Sequence, residues 1–344
     1  ARYARWQQST WTPHDGLVKP GALGRTALEA HQPAARPFSP TALEQYAACP
    51  YRFFLSAIVR LQPMEIPGEL EELGPLEKGS MAHQVHYELL SALRKDGVEI
   101  TEATLPVVLE RLHATIEHVS QEVFDQFKPA IERVWEDGVQ TLEADLREWV
   151  KKVSKDTEFK PAHFELSFGL PGRDVDSQDP ASSPNPVTLT EGLQVRGSID
   201  LVEKSASGAL RATDYKTGRA RAEPGNVIGG GRHLQPVLYA LVLEKLFPGA
   251  VVKGGRLFYT TQIGGFLSVP TELNAASREA FGLVARTLRG ALETGFFPAA
   301  PEEGECRYCN FRAVCGPDEE RRLVRTRKGL RAELKDLRTL RGMP

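Results

Sequence analysis

Hydrophobic positions along the chain switch between two periods. From about Leu76 to Arg94 the apolar residues Met81, Val85, Leu89, Leu90 and Leu93 fall three or four positions apart, the spacing of one helix face. The same period recurs within residues 101–154, where Trp135, Val139, Leu142, Leu146 and Trp149 keep it after a break at Lys128-Pro129. Strand character begins at Ala162 (AHFELSFGL) and stops at Pro171-Gly172; further strands are predicted at Val187–Thr190, in Gly197–Gly218, in VKGGRLFYTT and in GGFLSVP. HLQPVLYALVLEKLF and the stretch from Thr271 to Leu292 read as helices. Upstream, Ser39-Pro40-Thr41 opens a helix with a capping hydroxyl and a first-turn proline. Its apolar side uses Leu43, Tyr46, Ala47, Phe53, Phe54 and Ile58, interrupted by Pro50. This order of elements predicts an α/β fold, a mixed β-sheet flanked by helices with helical elaboration.

The stretches without a period divide the chain. Residues 1–38 are expected to form an extended arm with a short helix near Thr26–His31. Residues 62–75, with Glu65, Glu69, Glu71 and Glu72 among prolines and glycines, read as a mobile acidic loop. The polar run GRDVDSQDPASSPNP is expected to be a disordered excursion that leaves any site untouched. Asp318–Arg341, acids first and nine Lys/Arg later, reads as a helix matched to its macrodipole. The expected division is a 1–38 arm, a 39–316 domain and a 317–344 C-terminal basic helix. Within the domain lie a helical insertion at about 101–154, a core at about 160–295 and a cysteine knuckle at 306–315.

Composition narrows the function classes. With 344 residues the chain can bury a large core, and a net charge of −2 confines any nucleic-acid surface to local patches. No apolar run approaches the roughly 20 residues of a membrane span, so no membrane role is expected. The start has no apolar signal-peptide core, and without an initiator Met the chain reads as processed or as a piece of a longer one. The P-loop pattern is absent. Four cysteines are present, Cys49 and the set Cys306-x-x-Cys309-x5-Cys315. A disulfide framework is not expected in so large a chain without a secretion signal. Four thiolates suit tetrahedral zinc or a 4Fe–4S cluster, and spacing does not separate the two.

The hairpin GSIDLVEKSASGALRATDYKTG carries the chemistry. Asp214 and Lys216 lie two apart on a strand and so share a face. Asp200 reaches that face from the neighbouring strand if the hairpin pairs in register. Converging carboxylates repel unless a divalent cation sits between them. The hairpin alone leaves a metal site and a surface salt bridge about evenly matched.

The surrounding motifs add a resemblance. Cys49-Pro50-Tyr51-Arg52-Phe53-Phe54 with the downstream cysteine knuckle resembles the iron–sulfur staple of RecB-like nucleases, a group within the PD-(D/E)xK nuclease superfamily. Gly79-Ser80-Met81-Ala82-His83 resembles its G-x-x-x-H motif, Gly197-Ser198-Ile199-Asp200 its G-x-x-D, Asp214-Tyr215-Lys216 its D-Y-K, and Gln235 to Tyr239 its Q-x-x-x-Y helix. The resemblance runs from about Ser39 to Cys315. It implies a restriction-endonuclease-like core and a metal-dependent DNA nuclease, an exonuclease of the AddB type working with a helicase subunit on single-stranded DNA in the bacterial cytoplasm. It further implies that His83, Asp200, Asp214 and the Tyr215 carbonyl hold Mg²⁺ or Mn²⁺, with Lys216 and Gln235 in catalytic roles. Cys49, Cys306, Cys309 and Cys315 would hold a 4Fe–4S cluster. His86, one turn after His83, is the competing ligand, and Glu165 stands where relatives often carry a glutamate. Tyr239 reads as a packing residue. A free-standing CRISPR-associated type of nuclease, a non-catalytic DNA-binding scaffold and a zinc-stapled binding module are the alternatives.

Overall fold

The computed structural model describes residues 6–12, 15–16, 21–62, 73–174, 177–316 and 318–344. Most of the expected acidic loop at 62–75 lies outside them. After a short helix α1 (Ala22–Glu29) come α2 (Pro40–Ala48) and α3 (Pro50–Phe53), which continues into a π-helical turn, Phe54–Ile58. The Ser39 hydroxyl caps α2 by accepting the Ala42 N–H at 3.2 Å. Three long helices follow: α4 (Pro75–Lys95), α5 (Leu105–Phe127) and α6 (Glu132–Val153). Lys128 separates α5 from α6 in a left-handed conformation, just before Pro129.

Strands β1 (Phe159–Phe168), β4 (Gly197–Ser205), β5 (Leu210–Lys216), β6 (Val252–Tyr259) and β7 (Ser268–Glu272) form one sheet in the order β1-β4-β5-β6-β7. A separate small ribbon pairs β2 (Val187–Thr188) with β3 (Gln194–Val195). Within this five-stranded sheet, among the described residues, only the β5–β6 pair is parallel, and the crossover between them is α7 (Gln235–Leu246). Gly255 lets α7 press onto β6, because a Cβ there would collide with the Pro236 carbonyl. One sheet face packs Ile199, Val202 and Ala212 against α2, α7 and α8 (Ala275–Thr294). The other packs Phe164, Leu201, Tyr215 and Phe258 against α4, α5 and α6. The result is a mixed sheet between two helical layers, as the sequence predicts.

Three expectations fail, each for a physical reason. The N-terminal arm is not merely extended: Trp11 and Leu28 join the core, and the fully buried Asp15 pairs with Arg322 at 2.9 Å and Lys328 at 2.7 Å. Those two cations account for the second correction. Beyond the short α9 (Arg312–Cys315) there is no single C-terminal basic helix but α10 (Glu319–Arg325) and α11 (Lys335–Arg341), with 3-10 turns between them. Arg322 and Lys328 turn inward, and a continuous solvated helix gives way to that burial. Third, the polar excursion before β2 is packed down. The buried Asp179 accepts the Phe164 N–H at 3.1 Å and pairs with Arg94 and His163. Although burial raises its pKa, those partners hold its carboxyl well below the usual range.

No helix among the described residues is long and apolar enough to cross a membrane. Replacing Asp15 by Ala removes the carboxylate shared by two buried cations, so unfolding free energy should fall by about 3–5 kcal/mol. A urea melt reads this directly, and a loss under about 1 kcal/mol would show that the pairs behave like surface ones.

Candidate active site

The site lies where β1, β4 and β5 meet α4 and the start of α7. In β1–β4 register Phe164 pairs with Leu201 and Leu166 with Ile199, so Glu165 and Asp200 fall opposite one another. Like charges in that position repel. Glu165 also sits at φ 49°, in the left-handed region that non-glycine residues avoid. Its carboxylate accepts from the Ser198 hydroxyl at 2.8 Å and from Arg173 at 2.9 Å. Arg173 belongs to the polar excursion, which therefore reaches the site after all.

His83 comes in from α4, and its Nδ1 stands 3.4 Å from an Asp200 oxygen. Ligand atoms of His83, Glu165 and Asp200 all lie within 4.8 Å of one another, a donor set of one imidazole nitrogen and two carboxylates. The second Asp200 oxygen accepts the Tyr215 N–H at 2.7 Å, locking β4 to β5 where the ladder has opened. Tyr215 itself turns its ring to the other face and stacks on His86 at 4.1 Å. Trp149 meets the same His86 ring edge-on. Burial pushes His86 down to about 3, and its ring, held between Tyr215 and Trp149, lies outside the group formed by His83, Glu165 and Asp200.

Asp214 and Lys216 form the second half of the site. Lys216 Nζ stands 2.7 Å from Asp214 Oδ2 and donates to Gln235 Oε1 at 2.8 Å. Gln235 is the first residue of α7, which explains its place over the end of β5. Tyr239, one turn on, is buried and packs edge-on against Phe168. Asp214 is thus turned toward the lysine and lies outside the compact trio, although its charge still acts on Asp200 and His83.

The charges are strongly interdependent. Asp200 above all pushes His83 up to about 9, against burial, with Asp214 and Glu165 adding to the rise. Burial would raise Asp200, but the facing imidazolium and the Tyr215 N–H hold it below its ordinary value. Burial pushes Asp214 up to about 6 despite Lys216 beside it. Glu44, on α2, is pushed up to about 7 by burial, and its Oε1 accepts the Leu234 N–H at 3.1 Å, at the start of α7. Perturbed groups gathered at one place mark a candidate functional site. Sequence reasoning missed Glu44 and Arg173. Glu44 is a lone acid on an apolar helix and carried no signal; Arg173 lay in a run read as disordered.

Residues 37–316 match the family model described as PD-(D/E)XK nuclease superfamily. The chain belongs to the PD-(D/E)XK nuclease superfamily. Its mixed sheet with helices on both faces is the restriction-endonuclease-like arrangement of that superfamily. Among curated proteins it is 34% identical over 140 residues to a CRISPR-associated exonuclease Cas4/endonuclease Cas1 fusion of Myxococcus xanthus, covering 39% of this chain and 23% of that one. It is 24% identical over 233 residues to an ATP-dependent helicase/deoxyribonuclease subunit of Carboxydothermus hydrogenoformans, covering 66% of this chain and 20% of that one. The equivalent helicase/deoxyribonuclease subunit of Symbiobacterium thermophilum is 26% identical over 229 residues, with 63% and 18% covered. The chain therefore spans about a fifth of the length of these relatives.

Away from the sheet edge of this superfamily member, Cys49, Cys306, Cys309 and Cys315 all line one cavity. Cys49 ends α2, Cys306 lies in a 3-10 turn (Glu305–Tyr308), and Cys315 closes α9. Burial raises the Cys49 thiol, while the N–H groups of Arg52 and Tyr51 favour its thiolate. Burial, with Glu320 next to it, pushes Cys306 up to about 12. Arg341 donates to the carbonyls of Ala47, Ala48 and Ala300 beside this cavity, tying α11 to both cysteine-bearing segments.

His83 of the metal-free protein should titrate near pH 9 in a ¹⁵N imidazole NMR experiment. Asp200→Asn should bring it back toward about 6.5. Because the folded value lies above the unfolded one, protonated His83 stabilises the fold fully below pH 6.5, and this is lost as pH rises through about 9.

Proposed function

We propose that this chain is the nuclease portion of a metal-dependent deoxyribonuclease that hydrolyses DNA phosphodiester bonds. The observation that carries this is the compact trio of His83, Glu165 and Asp200 beside a lysine fixed by Asp214 and Gln235. In this reading the trio holds Mg²⁺ or Mn²⁺, with the Asp214 carboxylate and the Tyr215 carbonyl as further oxygen donors. A bound cation supplies Lewis acidity at the scissile phosphate and lowers the pKa of water there. The protein does the positioning. Arg173 and Ser198 fix the Glu165 carboxylate, and the Tyr215 N–H fixes Asp200. Lys216, an ammonium held charged by Asp214 despite its burial, orients the attacking water and offsets charge growing on phosphorus. His83 must lose its proton before it can act as a ligand, so cation affinity rises with pH up to about 9.

The four cysteines suit a 4Fe–4S cluster acting as a clip rather than an electron carrier, joining the segment after α2 to the knuckle. The subunits named helicase/deoxyribonuclease match 61–66% of this chain, against 39% for the CRISPR-associated fusion. That favours an exonuclease that receives a single strand from a helicase subunit during break repair.

The test is cleavage of end-labelled single- and double-stranded DNA with Mg²⁺ or Mn²⁺. Lys216→Ala should lower kcat by about 10²–10³-fold and Asp214→Ala should abolish cleavage with the fold intact. A fully active Asp214→Ala protein would sink the assignment. Cys309→Ala should lose the visible absorption of the cluster and thermal stability together. A colourless wild-type protein containing zinc would replace the cluster with the zinc reading.

A further inference from the structure

A cavity of about 460 Å³ lies beside the start of α2, within the range of ligand pockets at roughly 300–1,000 Å³. Arg36, Arg60 and Arg196 line it together with Ser39, Gln45 and Ser56. Among the described residues no Asp or Glu lines it, and none of the three arginines makes an ion pair. Elsewhere in this chain arginines are mostly paired, as Arg94, Arg173, Arg211 and Arg256 are. Three like charges sharing one cavity raise the energy of the fold unless an anion enters.

Arg36 is the built part of this cavity. Its guanidinium stacks on the Phe38 ring at 4.7 Å and donates to the Ala57 carbonyl at 2.7 Å. Its buried Nε has no hydrogen-bond partner among the described residues. Burial, then Arg60 and Arg196, pull Arg36 down to about 10. The same two influences, burial and the charges of Arg36 and Arg60, also depress His31 nearby. A planar guanidinium held by stacking keeps its remaining donors in a fixed fork, the geometry that suits phosphate oxygens.

The cavity is joined to the active site by the backbone itself. The Arg196 N–H donates to the Phe38 carbonyl at 3.0 Å, and Arg196 immediately precedes β4. Asp200 lies four residues along that strand, roughly 13 Å away at about 3.3 Å per residue. That distance is within the reach of a few nucleotides of one strand.

We propose that the Arg36–Arg60–Arg196 cavity binds a backbone phosphate of the nucleic-acid strand whose scissile bond lies at the His83–Glu165–Asp200 site. This rests on the nuclease reading for the identity of the strand, but it concerns binding and not cleavage. The contact positions the strand without reading its bases, since guanidinium–phosphate pairs carry no sequence information.

The experiment uses the full chain in EDTA, so that nothing is cut, with a dye-labelled single strand followed by anisotropy across a range of salt. Arg60→Gln combined with Arg196→Gln changes two exposed side chains and avoids the packed Arg36. Binding should weaken by about tenfold at low salt, and the slope of log K against log salt should flatten by about 0.7–1.4. Arg111→Gln with Arg147→Gln removes the same charge from the helical layer and serves as the comparison. Equal affinities and slopes for the two double variants would overturn the cavity as a strand site, as would a wild-type chain that binds no DNA. Arg36→Lys keeps the charge but not the fork, and an intermediate loss is expected. Inorganic phosphate at matched ionic strength should leave the difference between the variants in place; if it erases that difference, the cavity is a free-phosphate site and the strand assignment fails. The nuclease reading fails separately, in a chain that binds with the expected slope yet cuts nothing with Mg²⁺ or Mn²⁺.

Discussion

Glu165 and Asp200 face each other across β1 and β4, an arrangement that raises the energy of the folded chain unless positive charge is brought between them. Much of the surrounding structure does that. α4 supplies His83, the packed-down polar segment supplies Arg173, and the opened end of the β4–β5 ladder supplies the Tyr215 N–H. Lys216, itself fixed by Gln235, then holds Asp214 back from the crowd. The left-handed backbone at Glu165 is a further cost located at the same point. A sheet edge built only for stability would place an apolar pair there.

Much of this was legible in the sequence. Helical and strand periods located the long helices and the sheet strands to within a few residues, because each buries one continuous apolar face. Cys49 and the three later cysteines, far apart in the chain, line one cavity. The hairpin showed Asp200, Asp214 and Lys216 but not how they divide. Asp214 goes to the lysine, whereas Glu165 takes the place nearest Asp200 and His83, since register across two non-adjacent segments decides which carboxylates meet.

What the sequence hid were polar residues with interior roles. Asp179 and Arg173 lie in a run with the composition of a disordered segment, yet backbone N–H groups and paired charges pin it to β1. Arg322 and Lys328 read as solvated helix positions, and Asp15 as part of a loose arm, until the three met in one dry cluster. Composition averages over a segment, while burial is settled by single partners contributed from elsewhere.

The three donor side chains are carried on segments far apart in the chain, one ahead of the long helical hairpin and two after it. Nothing shorter than the stretch from α4 through β4 can therefore assemble the trio, and Lys216 waits for α7 to be positioned. During synthesis the hairpin with its D-Y-K emerges as an inert pair of strands. The arrangement of the trio comes into being only as the two helical layers close on the sheet, so an unfinished or misfolded chain carries the residues of the site without their geometry.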